Sequence, residues 1–337
     1  MRKSGLVLAV LITISGCSNS DPAPSPEATT AVASPSSGEA STTTTTGDGD
    51  LTCWAATPAA GTPAISFKDV TEETDLIRPL TGMFGHAAAW GDVDGDLDPD
   101  LLVGTFADRP QDRYAVRGAE EASPDRLLLN GGDSFGVDEG LPETYGRTSG
   151  AVLVDLDADR DLDVVLSRNV KDSQPDMAAT EIYENVGGSF AAAASGIDTE
   201  LGGRSVGVLD YDGDGLLDLL ILEDHYRGGA SRLYRNVGDL RFEDATRAAG
   251  LPMDLAGLGV ATSDVDADGD VDFFVAGDNL LFLDDGTTFT QAPSEIFAWP
   301  PEGTEDDPAG AAFGDVDRDG RPDLVVGQHF NSTVDFG

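Results

Sequence analysis

From Ile65 onward the polar and apolar positions of the chain obey one recurring rule: aspartate at every second position through a short stretch, then an unbroken apolar run. The first copy reads Asp92-Val-Asp-Gly-Asp-Leu-Asp-Pro-Asp100-Leu-Leu-Val, the second Asp155-Leu-Asp-Ala-Asp-Arg-Asp-Leu-Asp163-Val-Val-Leu. Three more begin at Asp210, Asp264 and Asp315, so that the first aspartates stand 63, 55, 54 and 51 residues apart. A small and apolar segment precedes each copy, as in Gly150-Ala-Val-Leu-Val154. Further on, four of the copies carry an apolar strand, a turn-rich cluster and a Phe: Arg126-Leu-Leu-Leu-Asn-Gly-Gly with Phe135, and its counterparts ending at Phe190, Phe242 and Phe289. Short apolar runs bounded by turn residues read as strands. Each period therefore predicts strand, acidic loop, strand, strand, turn, strand, and nowhere a helix of three turns.

Four short strands per period predict one blade of a β-propeller, an all-β fold of four-stranded sheets set around an axis. Five loops predict at least five blades over residues 62–337, the last incomplete because the chain stops after its second strand. Ile65-Ser-Phe-Lys-Asp-Val70 has the pattern of an outer strand and stands ahead of the first complete blade. In a closed ring such a strand completes the last blade. The natural ring is then expected to hold six or seven blades, or five with an irregular last one.

The N-terminal region follows another pattern. Arg2 and Lys3, an apolar run from Gly5 to Ile14, and Ser15-Gly16-Cys17 have the layout of an export leader, residues 1–17. The run is too short for a permanent span. Ile14-Ser15-Gly16-Cys17 also resembles the bacterial lipobox, which implies lipidation of Cys17; an ordinary leader with an incidental cysteine is the alternative. Residues 18–61 hold Pro, Ser and Thr tracts with few large apolar groups, and read as a disordered tether. Cys53 is then the only thiol left, too few for an internal disulfide.

Charge sharpens the picture. Twenty Lys and Arg stand against 62 Asp and Glu, a net of −42, which repels nucleic acid and anionic lipid and leaves the anchor as the only membrane contact. General acidity scatters carboxylates, yet 23 of the 62 acidic residues lie in the five nine-residue windows. Positions 1, 3, 5 and 9 are aspartate in every window: Asp92, Asp94, Asp96 and Asp100; Asp155, Asp157, Asp159 and Asp163; Asp210, Asp212, Asp214 and Asp218; Asp264, Asp266, Asp268 and Asp272; Asp315, Asp317, Asp319 and Asp323. Hard divalent cations with flexible coordination need about six to eight oxygens. Alternate carboxylates and the position-7 carbonyl of a tight loop supply them, so up to five structural Ca²⁺ ions are expected. No window offers Cys, which argues against zinc and copper. An EF-hand is excluded because position 12 is apolar, as at Val103 and Leu166.

These windows resemble FG-GAP/VCBS repeats, the calcium-loop blades of integrin α-subunit propellers. The Phe67-Lys-Asp-Val-Thr start and the Leu233-Tyr-Arg-Asn spacing further resemble bacterial relatives of cartilage acidic protein, the ASPIC/UnbV group. The resemblance implies the propeller fold and the position 1, 3, 5 and 9 aspartates as ligands. Leu97 and Arg160 depart from it, standing where the other three loops have Gly.

Other chemistry is sparse. Gly203-Arg-Ser-Val-Gly207 matches a nucleophile elbow in letters, but a strand pattern follows Ser205 where the elbow needs a helix. His86, His225 and His329 form no pair with ligand spacing. The expectation is a lipid-anchored calcium propeller at the outer membrane or cell surface, binding an envelope or extracellular protein or glycan, and not an enzyme. A polysaccharide lyase or hydrolase is the alternative, with Arg113, Arg117, Lys171 and Arg227 its nearest basic candidates; a scaffold subunit is another.

Overall fold

The computed structural model describes residues 15–19, 51–55, 68–170, 177–197, 201–224, 230–293 and 306–330, the backbone alone at 15–19, 51–55, 306–307 and 328–330. Five four-stranded antiparallel sheets make up the fold. Strands β1 (Ser15–Asn19) and β2 (Leu51–Ala55) belong to the fifth. The first sheet is β3 (Gly85–Gly91), β4 (Asp100–Thr105), β5 (Arg126–Asn130) and β6 (Phe135–Val137). The second is β7 (Thr148–Val154), β8 (Asp163–Arg168), β9 (Glu181–Asn185) and β10 (Phe190–Ala192). The third is β11 (Gly203–Leu209), β12 (Asp218–Glu223), β13 (Arg232–Asn236) and β14 (Phe242–Asp244). The fourth is β15 (Gly257–Ser263), β16 (Asp272–Gly277), β17 (Leu280–Asp284) and β18 (Phe289–Gln291). In the fifth, β19 (Asp306–Gly314) and β20 (Asp323–Phe330) continue into β1 and β2. Among the described residues the only helix is the short α1 (Gln111–Ala115), and none is long and apolar enough to cross a membrane.

Each sheet is a blade. Its first strand is innermost, since β3, β7, β11, β15 and β19 lie side by side in that order. The second strand carries the apolar run and in the first four blades is covered on both faces; every residue of β8 and β12 is buried. Core side chains sit between neighbouring blades. Leu220, Leu222 and Leu233 of the third blade meet Phe273, Val275 and Phe282 of the fourth, and equivalent clusters fill the other three gaps.

The inner strands approach so closely that glycine is required. A Cβ on Gly150 would come within 2.5 Å of the Arg204 carbonyl oxygen in the next blade, and one on Gly259 within 2.7 Å of that of Ala309. The equivalent Gly310 has nothing within 4 Å, and β3 at the other end is largely solvent-exposed. Among the described residues the five blades form an arc and no closed ring.

An N-terminal segment completes the last sheet, as a propeller requires, and its strands are β1 and β2; the expected outer strand at Ile65–Val70 is described only in part. Residues 68–70 are not in a strand, and 65–67 lie outside the described residues. The Thr74 carbonyl nevertheless accepts from Phe135 N–H as Ser195 does from Phe242 and Ala249 from Phe289. The turn after Val70 thus occupies the place of a turn following the outer strand of a preceding blade. β1 meets β20 only through Ser15 and Gly16, both upstream of Cys17.

Candidate metal centres

Each acidic window is the loop joining the first strand of a blade to the second, so all five lie at one end of the inner strands. Backbone geometry explains their shape. Positions 4 and 6 are left-handed in every loop: Gly95 and Leu97, Ala158 and Arg160, Gly213 and Gly215, Ala267 and Gly269, Arg318 and Gly320. The position-6 N–H then donates to Oδ2 of the first aspartate in all five, from 2.9 Å at Gly215 to 3.2 Å at Gly269. The position-7 N–H donates to the position-5 carboxylate, as in Asp98 to Asp96 at 2.9 Å and Leu216 to Asp214 at 3.0 Å.

Position 9 is a different kind of aspartate. Asp100, Asp163, Asp218, Asp272 and Asp323 are buried at the start of the second strand. Oδ2 of each accepts the position-2 N–H, for example Val93 to Asp100 at 2.8 Å. In the first four blades Oδ1 accepts the N–H of the residue ending the third strand: Asn130, Asn185, Asn236 or Asp284. The asparagine amides extend this knot sideways. Asn236 Nδ2 donates to the Leu217 carbonyl of its own loop and, at 2.7 Å, to Leu156 of the preceding blade's loop. Asn185 makes the same pair of contacts, to Leu162 and Val93.

Carboxylate oxygens converge in all five loops, within 4.8 Å of one another. In the second to fifth loops they come from positions 1, 3 and 9: Asp155, Asp157 and Asp163; Asp210, Asp212 and Asp218; Asp264, Asp266 and Asp272; Asp315, Asp317 and Asp323. In the first they come from Asp92, Asp94 and Asp96. Asp159, Asp214, Asp268 and Asp319, at position 5, stand outside these triads, as does Asp100. Asp155 Oδ1, Asp264 Oδ1 and Asp266 Oδ1 are buried without a hydrogen-bond donor. Such oxygens suit a cation, and the donor set is the all-oxygen one that a hard divalent ion takes.

Electrostatics point the same way. Burial raises the carboxyls of Asp163 and Asp218 to about 6 and that of Asp272 to about 7, against the pull of the amides that bond them and with the push of neighbouring loop carboxylates. Burial also raises Asp94, Asp157 and Asp266. In the third loop a side-chain cation already stands against the carboxylates: Arg235 lies 2.5 Å from Asp212 and 2.8 Å from Asp214.

Ser205 lies within strand β11 and is followed by more strand, so no elbow exists there. His86 stacks on Phe106. Arg113 is in α1 and Arg117 just beyond it, both exposed. His225, Lys171 and Arg227 lie outside the described residues, as does the side chain of His329.

Arg168, which nothing in the repeat singles out, is fully buried between the first two blades. It bonds Asp125 and Thr144 of the first-blade region, Thr148 Oγ1, the Ala179 carbonyl and Glu181.

Sheets of this kind, each carrying one acidic loop between its inner strands, define a propeller-type repeat protein whose loops are able to hold metal ions. Two stretches, residues 210–275 and 264–326, match the FG-GAP-like repeat. Each match starts on the first aspartate of a loop and ends within the second strand of the following blade. No curated protein matches the chain.

Proposed function

We propose that this chain is an exported, calcium-stabilised propeller module, anchored through a lipid on Cys17 at the cell envelope, which binds a protein or glycan. The observation that supports it best is the set of five convergent aspartate triads at one end of the inner strands, with buried oxygens that no donor satisfies. In this reading Ca²⁺ takes positions 1, 3 and 9 directly in the second to fifth loops and positions 1, 3 and 5 in the first, and the remaining aspartate joins the shell when the ion draws the loop inward. Each ion relieves carboxylate repulsion and pins the turn between two strands, so folding and binding are coupled. Dissociation constants of about 10⁻⁴–10⁻³ M are those of extracellular modules. The blade loops form the recognition face.

Thermal unfolding with and without excess EDTA, alongside elemental analysis of bound metal, tests the calcium half. Several calcium ions per chain and a large EDTA-induced fall in Tm are expected; no bound calcium and no shift would overturn it. Glycan and envelope-protein binding screens, with membrane fractionation of Cys17→Ala against the parent, test the rest. A variant that stays with the membrane would remove the anchor from the proposal.

A further inference from the structure

The end of the blades opposite the aspartate loops holds a second constellation. In every blade the first strand bulges near its start, where one residue, or two in the third blade, falls out of register with the second strand: between Gly85 and Ala87, Thr148 and Gly150, Gly203 and Val206, Gly257 and Gly259, and Pro308 and Gly310. A bulge releases a side chain from the alternation of the strand and re-aims it. Six positions before the first aspartate of each loop, the bulged residues are His86, Ser149, Arg204, Leu258 and Ala309. The repeat is thus polar here in its first three blades and apolar in the last two.

Around the first three bulges a protein of net charge −42 gathers cations. Arg147 precedes β7 and Arg109 follows β4, and both guanidiniums lie over Phe106, at 4.0 and 5.3 Å from the ring centre. Phe106 also carries His86, stacked at 3.6 Å, whose other face meets solvent. Arg147 is paired with Asp108 at 2.5 Å and Arg204 with Asp224 at 2.5 Å. Arg109 pairs with no carboxylate among the described residues. The Nε of Arg109 and that of Arg147, a side chain only 7% exposed, are buried without an acceptor. Burial, and then the charges of Arg109, Arg204 and Arg147, hold the His86 imidazole down to about 4, with Asp108 opposing. The ring is therefore neutral at physiological pH.

We propose that His86, Arg109 and Arg147, gathered on Phe106, together with Arg204 at the equivalent bulge of β11, form a binding site for the carboxylate of an acidic saccharide. Two of the three bulge-end guanidinium charges are matched by Asp108 and Asp224, and the uncompensated one suits a monoanion better than a phosphate dianion. Guanidinium forks bind carboxylate in a planar, directional way. The open face of a neutral imidazole beside them is a platform for the C–H face of a pyranose, which an acidic peptide side chain does not use. The site deepens the glycan arm of the proposed function and rests on it. It is independent of the metal loops, which lie at the other end of the strands.

The test is a titration of the calcium-loaded full chain with D-glucuronate, followed by the histidine ring carbon–proton NMR signals. The chain has three histidines, and His86→Gln identifies the relevant signal. A saturable shift of His86 is expected with glucuronate and none with D-glucose. Arg109→Gln breaks no ion pair; it should keep the parent Tm and weaken glucuronate at least fivefold. Arg204→Gln should weaken it as well, with a Tm control because Asp224 loses its partner. A shift of equal size with inorganic sulfate, tighter binding of N-acetyl-aspartate amide, or undiminished affinity in Arg109→Gln would each overturn the site. A glycan that binds the parent and Arg109→Gln equally would leave the proposed function standing and sink this site alone.

Discussion

Leu97 and Arg160 show what a single residue does in these loops. Both sit at position 6 with φ of 75° and 83°, where three of the loops have Gly, and their N–H groups still bond the first aspartate. A left-handed conformation costs a side-chain-bearing residue about 1–2 kcal/mol, offset in part by the extra chain entropy that glycine loses on folding. Leu97→Gly and Arg160→Gly are expected to stabilise the protein by roughly 0.5–1 kcal/mol each, read from denaturant midpoints. Arg235 is the other instructive residue, because its guanidinium already stands against Asp212 and Asp214 where an ion would exert its pull. Being partly exposed it is only a modest competitor. Arg235→Leu should raise the calcium affinity of the third loop about fivefold, near 1 kcal/mol, by calorimetric titration; an unchanged isotherm would mean that the guanidinium swings clear at no cost. The spacing of the aspartates was plain in the sequence. Which carboxylates converge was not, because alternation alone cannot separate position 9, fixed by two backbone amides at the head of a buried strand, from position 5, turned back on its own loop.

At the scale of the element, the second strand organises each blade. Its first residue anchors the acidic loop, its middle fills the gaps between blades, and its last residue differs from blade to blade: Thr105, Arg168, Glu223 and Gly277 stand at one register position. That variety hid Arg168 from any reading of the repeat. Its guanidinium ties the two blades through Asp125 and Glu181, and Asp125 in turn accepts from Thr105 N–H and Thr148 Oγ1. Removing it leaves Asp125 as a buried charge without its counter-ion. Arg168→Ala is therefore expected to cost about 3–5 kcal/mol in urea unfolding; a loss under about 1 kcal/mol would mean that water takes over the contacts. The strands themselves were legible from the start. Apolar runs with turn residues at both ends located the inner, second and third strands of the first four blades, and the Phe of each hairpin opens its outer strand. The pairing of β20 with β1 was not legible, since neither segment at the N-terminus carries the repeat.

At the scale of the whole molecule the described blades form an arc, the first three acidic loops stitched to one another by Asn185 and Asn236, under a large negative charge. That arrangement couples stability to protons when metal is absent. Folded Asp163 and Asp218 titrate at about 6 and Asp272 at about 7, while the ordinary value is 3.8. Between those values the folded chain binds more protons than the unfolded one, so stability is fully present below the lower value and is lost as pH rises through the upper. The EDTA-treated protein should melt higher at pH about 5 than at pH about 8, and saturating calcium should flatten the difference. The reverse order without metal would show that these carboxyls are hydrated and not buried. The bulges at the far end have a different consequence. Because the bulged residue takes no part in the ladder, histidine, serine, arginine, leucine and alanine share one backbone there. The chain carries its invariant machinery at one rim and a set of interchangeable sockets at the other, so new recognition can be acquired there by point substitution while the metal rim keeps the scaffold standing.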